Sequence, residues 1–256
     1  MKYVRKYWVI SLFVLGLSTL LAACGSSSSG VADGKLVVGT DAAYAPMEYM
    51  DDKGNIVGID IDIVKAIAEA AGFEVEFKNI GWDPLFPAVE NGEVDFAVSS
   101  ITITEDRRKT FDFSDPYFVA NQLILVPADS DIESFEDLKG KKVAVQINTT
   151  GHEVVKGLLG NTSKDIVAPE SMPLAITEML NGNADAAVGD SPVVLEYVKN
   201  NPNVELETIE DDSFEKENYG LMVKKGNKEV IDLLNKGIKE IKENGKLQEI
   251  IDSYLK

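Results

Sequence analysis

Apolar positions change their period repeatedly along this chain, and each change marks the edge of an element. Leu36 to Thr40 is a short apolar run that predicts a strand, and Asp60 to Ala71 is an amphipathic helical stretch closed by Gly72. Glu74 to Asn79 predicts a second strand, and Asp83 to Glu90 a helix stopped by Asn91 and Gly92. Val94, Phe96 and Val98 then alternate with Asp95 and Ala97 like a buried strand. A similar series restarts near Leu123. It predicts a strand over Lys142 to Gln146, helices over Gly151 to Leu159 and Met172 to Leu180, a strand over Ala184 to Val188 and a helix over Pro192 to Lys199. The last stretches, Lys228 to Asn244 and Lys246 to Tyr254, are helical, with Val230, Leu233, Leu234, Ile238 and Ile241 on one apolar face. Strand and helix in alternation predict an α/β fold with mostly parallel sheets flanked by helices, and the restart predicts two lobes rather than one long sheet.

The first 24 residues follow a different rule. Lys2, Arg5 and Lys6 form a basic head, Tyr7 to Ala23 carry no charge, and Leu21-Ala22-Ala23-Cys24 closes the stretch. This is the plan of a secretory signal peptide. An uncleaved membrane anchor is the alternative; the small residues before Cys24 and the Gly25 to Gly30 serine-glycine run after it weigh against that. Leu21 to Cys24 resembles a bacterial lipobox, which implies that Cys24 is lipidated and becomes the new N-terminus. Residues 25–34 then form a flexible tether, and the domain sits on the outer face of the cytoplasmic membrane, anchored by lipid. The chain has a single cysteine, so no internal disulfide is available and the mature domain must stand on its core.

Charge narrows the partners. The formal net charge is -18, and loss of the three basic residues with the signal makes the mature chain more acidic still. Phosphate binding needs a basic stripe and none is present, which argues against nucleic acid. The acidic balance favours cationic solutes weakly, because salt screens such fields beyond ~8 Å.

The most informative segment runs from Val94 to Phe118. Thr104 followed by Glu105 and Asp106 reads as the capped start of a helix, placing Arg107 in its first turn. The helix macrodipole is positive there, so a cation costs ~0.3–1 kcal/mol unless an anion offsets it. Glu105 and Asp106 are the nearest candidates. A solvated surface arginine is the ordinary reading. Against it, Ser99, Ser100 and Thr102 lie between strand and helix, where open α/β sheets place their ligands, and a guanidinium fork suits a planar carboxylate. The arrangement predicts a carboxylate clamp.

The same segment resembles the signature of the extracytoplasmic solute-binding proteins, family 3, that serve polar and basic amino-acid ABC importers. That signature reads small-small-Ile-Thr-x-Thr-x-x-Arg and then aspartate-aromatic-Ser-Asp, which Ser99 to Arg107 and Asp112 to Asp115 satisfy. The resemblance extends over nearly all of residues 35 to 256. It implies a two-lobed periplasmic-binding-protein fold of type II with two crossover strands as a hinge, Gln122 to Val126 and Tyr219 to Val223. Lobe 1 is then residues 35–122 with 219–256, and lobe 2 residues 123–218. It also implies that Ser100 and Thr102, with Ser99 beside them, meet the ligand's α-ammonium and carboxylate, and that Arg107 binds the α-carboxylate.

Further site positions combine a local reading with the resemblance. Asn148-Thr149-Thr150-Gly151 precedes a helix whose free N–H groups welcome a carboxylate; either threonine could instead be a plain N-cap, and Thr150 matches the family position best. Asp190 follows a strand and could cap the next helix, whereas the family uses this aspartate for the α-ammonium. Asp41 and Tyr44 match positions contacting the distal end of the solute, with turn capping and partial burial as their alternatives. Trp82 resembles members that take basic amino acids, though a tryptophan so placed is often core. Ile59 departs from relatives that place phenylalanine there and removes one slice of an aromatic sandwich. His152, the sole histidine, reads as exposed beside a helix start, and Glu210-Asp211-Asp212 as a solvated turn. No nucleophile-base pair, metal spacing or phosphate loop can be assembled, so no cofactor is expected.

The expectation is a monomeric, non-catalytic lipoprotein that binds a basic amino acid, arginine first and then lysine or histidine, by cleft closure and presents it to an ABC permease. Glutamine is the rival ligand. A secreted cyclohexadienyl-type dehydratase on the same fold is the rival activity.

Overall fold

A computed structural model of the chain describes residues 34–256. The signal segment, Cys24 and the tether ahead of Gly34 lie outside the described residues.

Two five-stranded sheets carry the architecture. The first has Lys35–Thr40 between Glu74–Asn79 and Phe96–Ala97, followed by Met222–Lys224 and Phe111–Phe113 at the far edge. Leu36 pairs with Val75 and Val38 with Phe96 in parallel register, while Met222 lies antiparallel to both Ala97 and Phe113. The second sheet repeats this plan with the order Ile166–Val167, Val143–Val145, Ala186–Asp190, Gln122–Pro127, Leu206–Ile209. Its single reversed strand is Gln122–Pro127. In each sheet, therefore, the reversed strand is the one by which the chain arrives from the other lobe.

The crossing itself is a short antiparallel ribbon, Phe118–Ala120 paired with Glu217–Tyr219. The hinge thus sits a few residues N-terminal to the expected Gln122 to Val126 and Tyr219 to Val223 segments, most of which already belong to the sheets. Gly220 explains part of the break: a Cβ there would lie 2.7 Å from Ile103, so the chain passes too close to keep a side chain.

Helices close the faces. Ile59–Ala71 carries Asp60 and Asp62 in its first turn, ends on Gly72 in the left-handed region, and buries Ile63, Val64 and Ile67 against the first sheet. Lys228–Glu243 lies beside it with Val230, Leu234, Ile238 and Ile241 inward, and Lys246–Leu255 completes that layer. On the opposite face Trp82–Asn91 packs Leu85 and Val89 against Ala97 and Met222. Thr150–Leu159, Met172–Leu180 and Ser191–Asn200 cover the second sheet. None of the described helices is long and apolar enough to cross a membrane.

Two boundaries differ from the sequence reading in ways that matter. Of the Val94 to Val98 run only Phe96–Ala97 is strand, which leaves Val98 to Ile101 as a loop at the end of the sheet. The Ala184 to Val188 strand instead spans Ala186–Asp190, so Asp190 is its final residue, held opposite Gln122. Strand ends that follow β pairing rather than apolar pattern are set by the partner strand, which sequence periodicity does not see.

Gly237 tests the helix layer. A Cβ there would approach the Ile67 carbonyl oxygen at 2.6 Å, a backbone atom that cannot swing aside as a side chain would. Gly237→Ala should therefore destabilise the protein by ~1–3 kcal/mol despite alanine's better helix propensity, read as a lowered urea midpoint with an unchanged slope.

Candidate functional site

The C-terminal ends of the strands in both sheets face each other across the cleft and line one largely polar cavity between them. Every residue named above as ligand-binding lies on its wall: Asp41, Tyr44, Trp82, Ser99, Ser100, Thr102 and Arg107 from one lobe, Thr149, Thr150 and Asp190 from the other. Glu48 and Gln146 also line it and were missed.

Arg107 is placed by the short Glu105–Thr110 helix, whose N-cap Thr104 accepts from the Arg107 backbone N–H at 3.1 Å. The side chain then turns back into the cleft. One guanidinium N–H donates to the Thr102 carbonyl at 2.8 Å, and the group lies 5.5 Å from the Trp82 ring centre and 5.4 Å from that of Phe86. Burial lowers its pKa, and the charges of Glu217, Asp190 and Glu153 pull it back up. The expected compensation by Glu105 or Asp106 does not occur. Asp106 instead pairs with Lys109 one turn on, at the exposed side of the helix.

Asp190 is the counterpart on the second lobe. It occupies the N-cap position of Ser191–Asn200 but makes no side-chain cap, so the capping alternative is not realised. Its carboxylate accepts from Gln122 Nε2 at 2.6 Å and from the Tyr219 hydroxyl. Burial, and then the Glu217 charge, push its pKa up to about 7. Tyr44, from the first lobe, faces the same carboxylate, whose charge adds to burial in raising the phenol's pKa.

A second buried acid group underlies the serine loop. Ser99 Oγ donates to Glu48 Oε1 at 2.8 Å while accepting the Asp41 backbone N–H at 3.1 Å. Ser100, in the left-handed region with φ 48°, donates its backbone N–H to Asp60 Oδ2 at 2.7 Å. Burial pushes Asp60 up to about 6 and Glu48 well above the usual carboxylate range, the Asp60 charge adding to the latter. The serines therefore sit on a floor of two buried carboxyl groups, each held above its ordinary pKa by burial. Asp41 is also raised by burial, with Gln146 hydrogen bonding in the opposite direction.

The lip of the cleft is closed by contacts between lobes. Trp82 Nε1 donates to the Asn148 carbonyl at 3.3 Å, and Asn148 Nδ2 donates to Asp83 at 3.0 Å. Thr149 is the N-cap of Thr150–Leu159, accepting from His152 N at 3.1 Å, whereas Thr150 directs its hydroxyl into the cleft. His152 is half-buried rather than exposed, and its Nδ1 accepts the Asn148 backbone N–H at 3.1 Å. Ile59 is fully buried and off the cavity wall, so the aromatic faces present are Tyr44 and Trp82. The acidic turn is ordered by Asp211, which accepts from Phe135 N at 2.7 Å and from Ser213. No group of metal-ligating side chains is found among the described residues.

Two lobes joined by a double crossing, with their strand ends converging on one polar cavity, define a cleft-type solute-binding protein. The chain belongs to the bacterial extracellular solute-binding proteins, family 3, whose pattern matches residues 36–256. It is 40% identical over 257 residues to the probable histidine-binding protein of Neisseria gonorrhoeae, covering 97% of this chain and 95% of that one. With the arginine-binding extracellular protein ArtP of Bacillus subtilis (strain 168) it shares 35% identity over 247 residues, 96% of each chain. The crystal structures of the arginine-, lysine-, histidine-binding protein ArtJ from Geobacillus stearothermophilus superpose with a TM-score of 0.83 at 47% identity, over 86% of this chain and 94% of that one.

The raised carboxyls carry a pH signature. Between the ordinary aspartate range near ~4 and about 7, folded Asp190 holds a proton that the unfolded chain has released, so this group's contribution to stability falls as pH rises through that window. Asp60 acts in the same sense up to about 6. Urea midpoints of the free protein should decline from pH 5 to pH 8, and Asp190→Asn should flatten the upper part of that slope.

Proposed function

We propose that this protein is the amino-acid-binding component of an ABC importer and that its ligand is a basic L-amino acid, arginine first and then lysine or histidine. The observation that carries the reading is the placement of Arg107 and Asp190: opposite charges from opposite lobes on the wall of one cavity. A free amino acid bears both complementary charges a short distance apart. Arg107 takes the α-carboxylate and Asp190 the α-ammonium, with the Thr102 and Thr150 region between them. The side chain then extends toward Asp41, Tyr44 and Trp82, where an acid and two aromatic faces receive a cation. The relatives' own names, for arginine, lysine and histidine, support this choice.

Closure follows from the same chemistry. In an open cleft both charged groups are solvated; only a ligand that satisfies both lobes compensates their desolvation when water is expelled. The closed form is what a permease in the membrane recognises. The dehydratase reading is disfavoured by Asp190, since a substrate with carboxylates and no ammonium would meet a second carboxylate there.

Titration calorimetry with the twenty amino acids tests the assignment, with arginine expected to bind tightest; absence of binding by arginine, lysine, histidine and glutamine alike would sink it. Asp41→Asn separates cation from amide. It should weaken arginine by ~1–3 kcal/mol and leave a neutral ligand such as glutamine little changed. Because the ammonium requires ionised Asp190, arginine affinity should also rise as pH is raised from 5 to 7, with proton release seen as a buffer-dependent heat. Lipid attachment at Cys24 is part of the same proposal: metabolic labelling with a fatty-acid analogue should mark the wild-type protein and not Cys24→Ser.

A further inference from the structure

Glu217 stands on the crossover ribbon, in Glu217–Tyr219, and is 8% exposed. It belongs to neither wall of the site as described, yet it touches both. Its Oε2 accepts from Thr102 Oγ1 of the first lobe at 2.6 Å and from Thr150 Oγ1 of the second at 2.8 Å. Its Oε1 accepts from Gln122 Nε2 at 3.0 Å, and the same amide nitrogen reaches Asp190 at 2.6 Å. Gly151 makes room for this amide, since a Cβ there would stand 2.7 Å from Gln122 Oε1.

A hydroxyl has one proton. With the protons of Thr102 and Thr150 both committed to Glu217, neither oxygen can donate to a ligand carboxylate, and both present lone pairs to the cleft. We propose that Glu217 is a hinge-borne latch and positioning residue: it fastens Thr102 to Thr150 across the closing lobes and turns both hydroxyls into acceptors for the ligand's ammonium, leaving Arg107 to take the carboxylate. The hydroxyl-direction half of this inference rests on the proposed function; the latch half does not. Because its carboxylate sits at the pivot, Glu217 stays close to both threonines only when the lobes approach. Opening must separate at least one of two hydrogen bonds to a carboxylate, at 2.6 Å from Thr102 and 2.8 Å from Thr150. Closure is thereby favoured by the protein's own carboxylate as well as by the ligand.

Interlobe distances measured by spin-label pairs, one reporter on each lobe, test the latch in the processed protein with and without arginine. Glu217→Gln keeps the size and removes the charge; Glu217→Asp keeps the charge and shortens the reach. Both should shift the distribution toward the open arrangement and speed arginine dissociation by about tenfold or more, while thermal melting confirms that each variant folds. Thr150→Val should do the same, and add little when combined with Glu217→Gln. An unchanged distance distribution in Glu217→Gln overturns the latch, as does full additivity with Thr150→Val. Wild-type behaviour of Glu217→Asp overturns it too, because charge alone would then suffice. If no amino acid binds, the proposed function fails, and the distances without ligand still decide the latch.

Discussion

The structure turns on the neutralisation of buried charge across the cleft. Arg107 lies half-buried beside the edge-to-face pair of Trp82 and Phe86, and the acidic groups whose charge raises its pKa against burial, Glu217 first and then Asp190, come from the hinge ribbon and the second lobe. In a low-dielectric crevice an uncompensated cation is costly, so the positions of these groups are coupled to one another. That coupling requires the lobes to be near each other, and it is why a site so polar can exist at the meeting of two apolar cores.

The fold supplies the geometry. Each sheet has one reversed strand, and both reversed strands connect through the Phe118–Ala120 and Glu217–Tyr219 ribbon. Parallel strands whose ends all point the same way gather loops and helix N-termini at one edge. Facing two such edges concentrates backbone N–H groups, hydroxyls and charges around one cavity. The close approach of Gly237 to Ile67 belongs to the helix layer that packs on the first sheet.

Part of the site was readable from local chemistry, while Asp41, Tyr44, Trp82 and the ammonium role of Asp190 were expectations that the family resemblance implied. The Ser99 to Arg107 run combines small polar residues, a capping threonine and a cation in a first helical turn, and all of these remain together in the structure because they are near in the chain. Thr149 and Thr150 were readable for the same reason, although which of them caps and which faces the cleft was decided by packing. Glu48, Gln146 and Glu217 were not legible. Each is a lone polar residue whose partners lie far away in sequence, as with Glu217 and Thr102, and a charge in the run Phe214 to Tyr219 looks like ordinary surface. One signal was available: Gln122 is a polar residue opening a strand that is otherwise apolar through Val126, and such a position asks for a buried partner.

By itself the sequence determined the strand-helix alternation, the division into two similar series, the acidic balance and the donors clustered around Arg107. These follow from periodicity and from short-range chemistry, which are properties of neighbouring residues. Only tertiary structure decided that Asp190 ends a strand opposite Gln122 instead of capping a helix, that the acidic groups acting on the Arg107 pKa are Glu217 and Asp190 instead of Glu105 or Asp106, and that one hinge carboxylate joins threonines from both lobes. The reason is physical: a buried charge takes its partner from whatever the fold brings within reach, and pairing strands and packing lobes bring together groups that no sequence window contains.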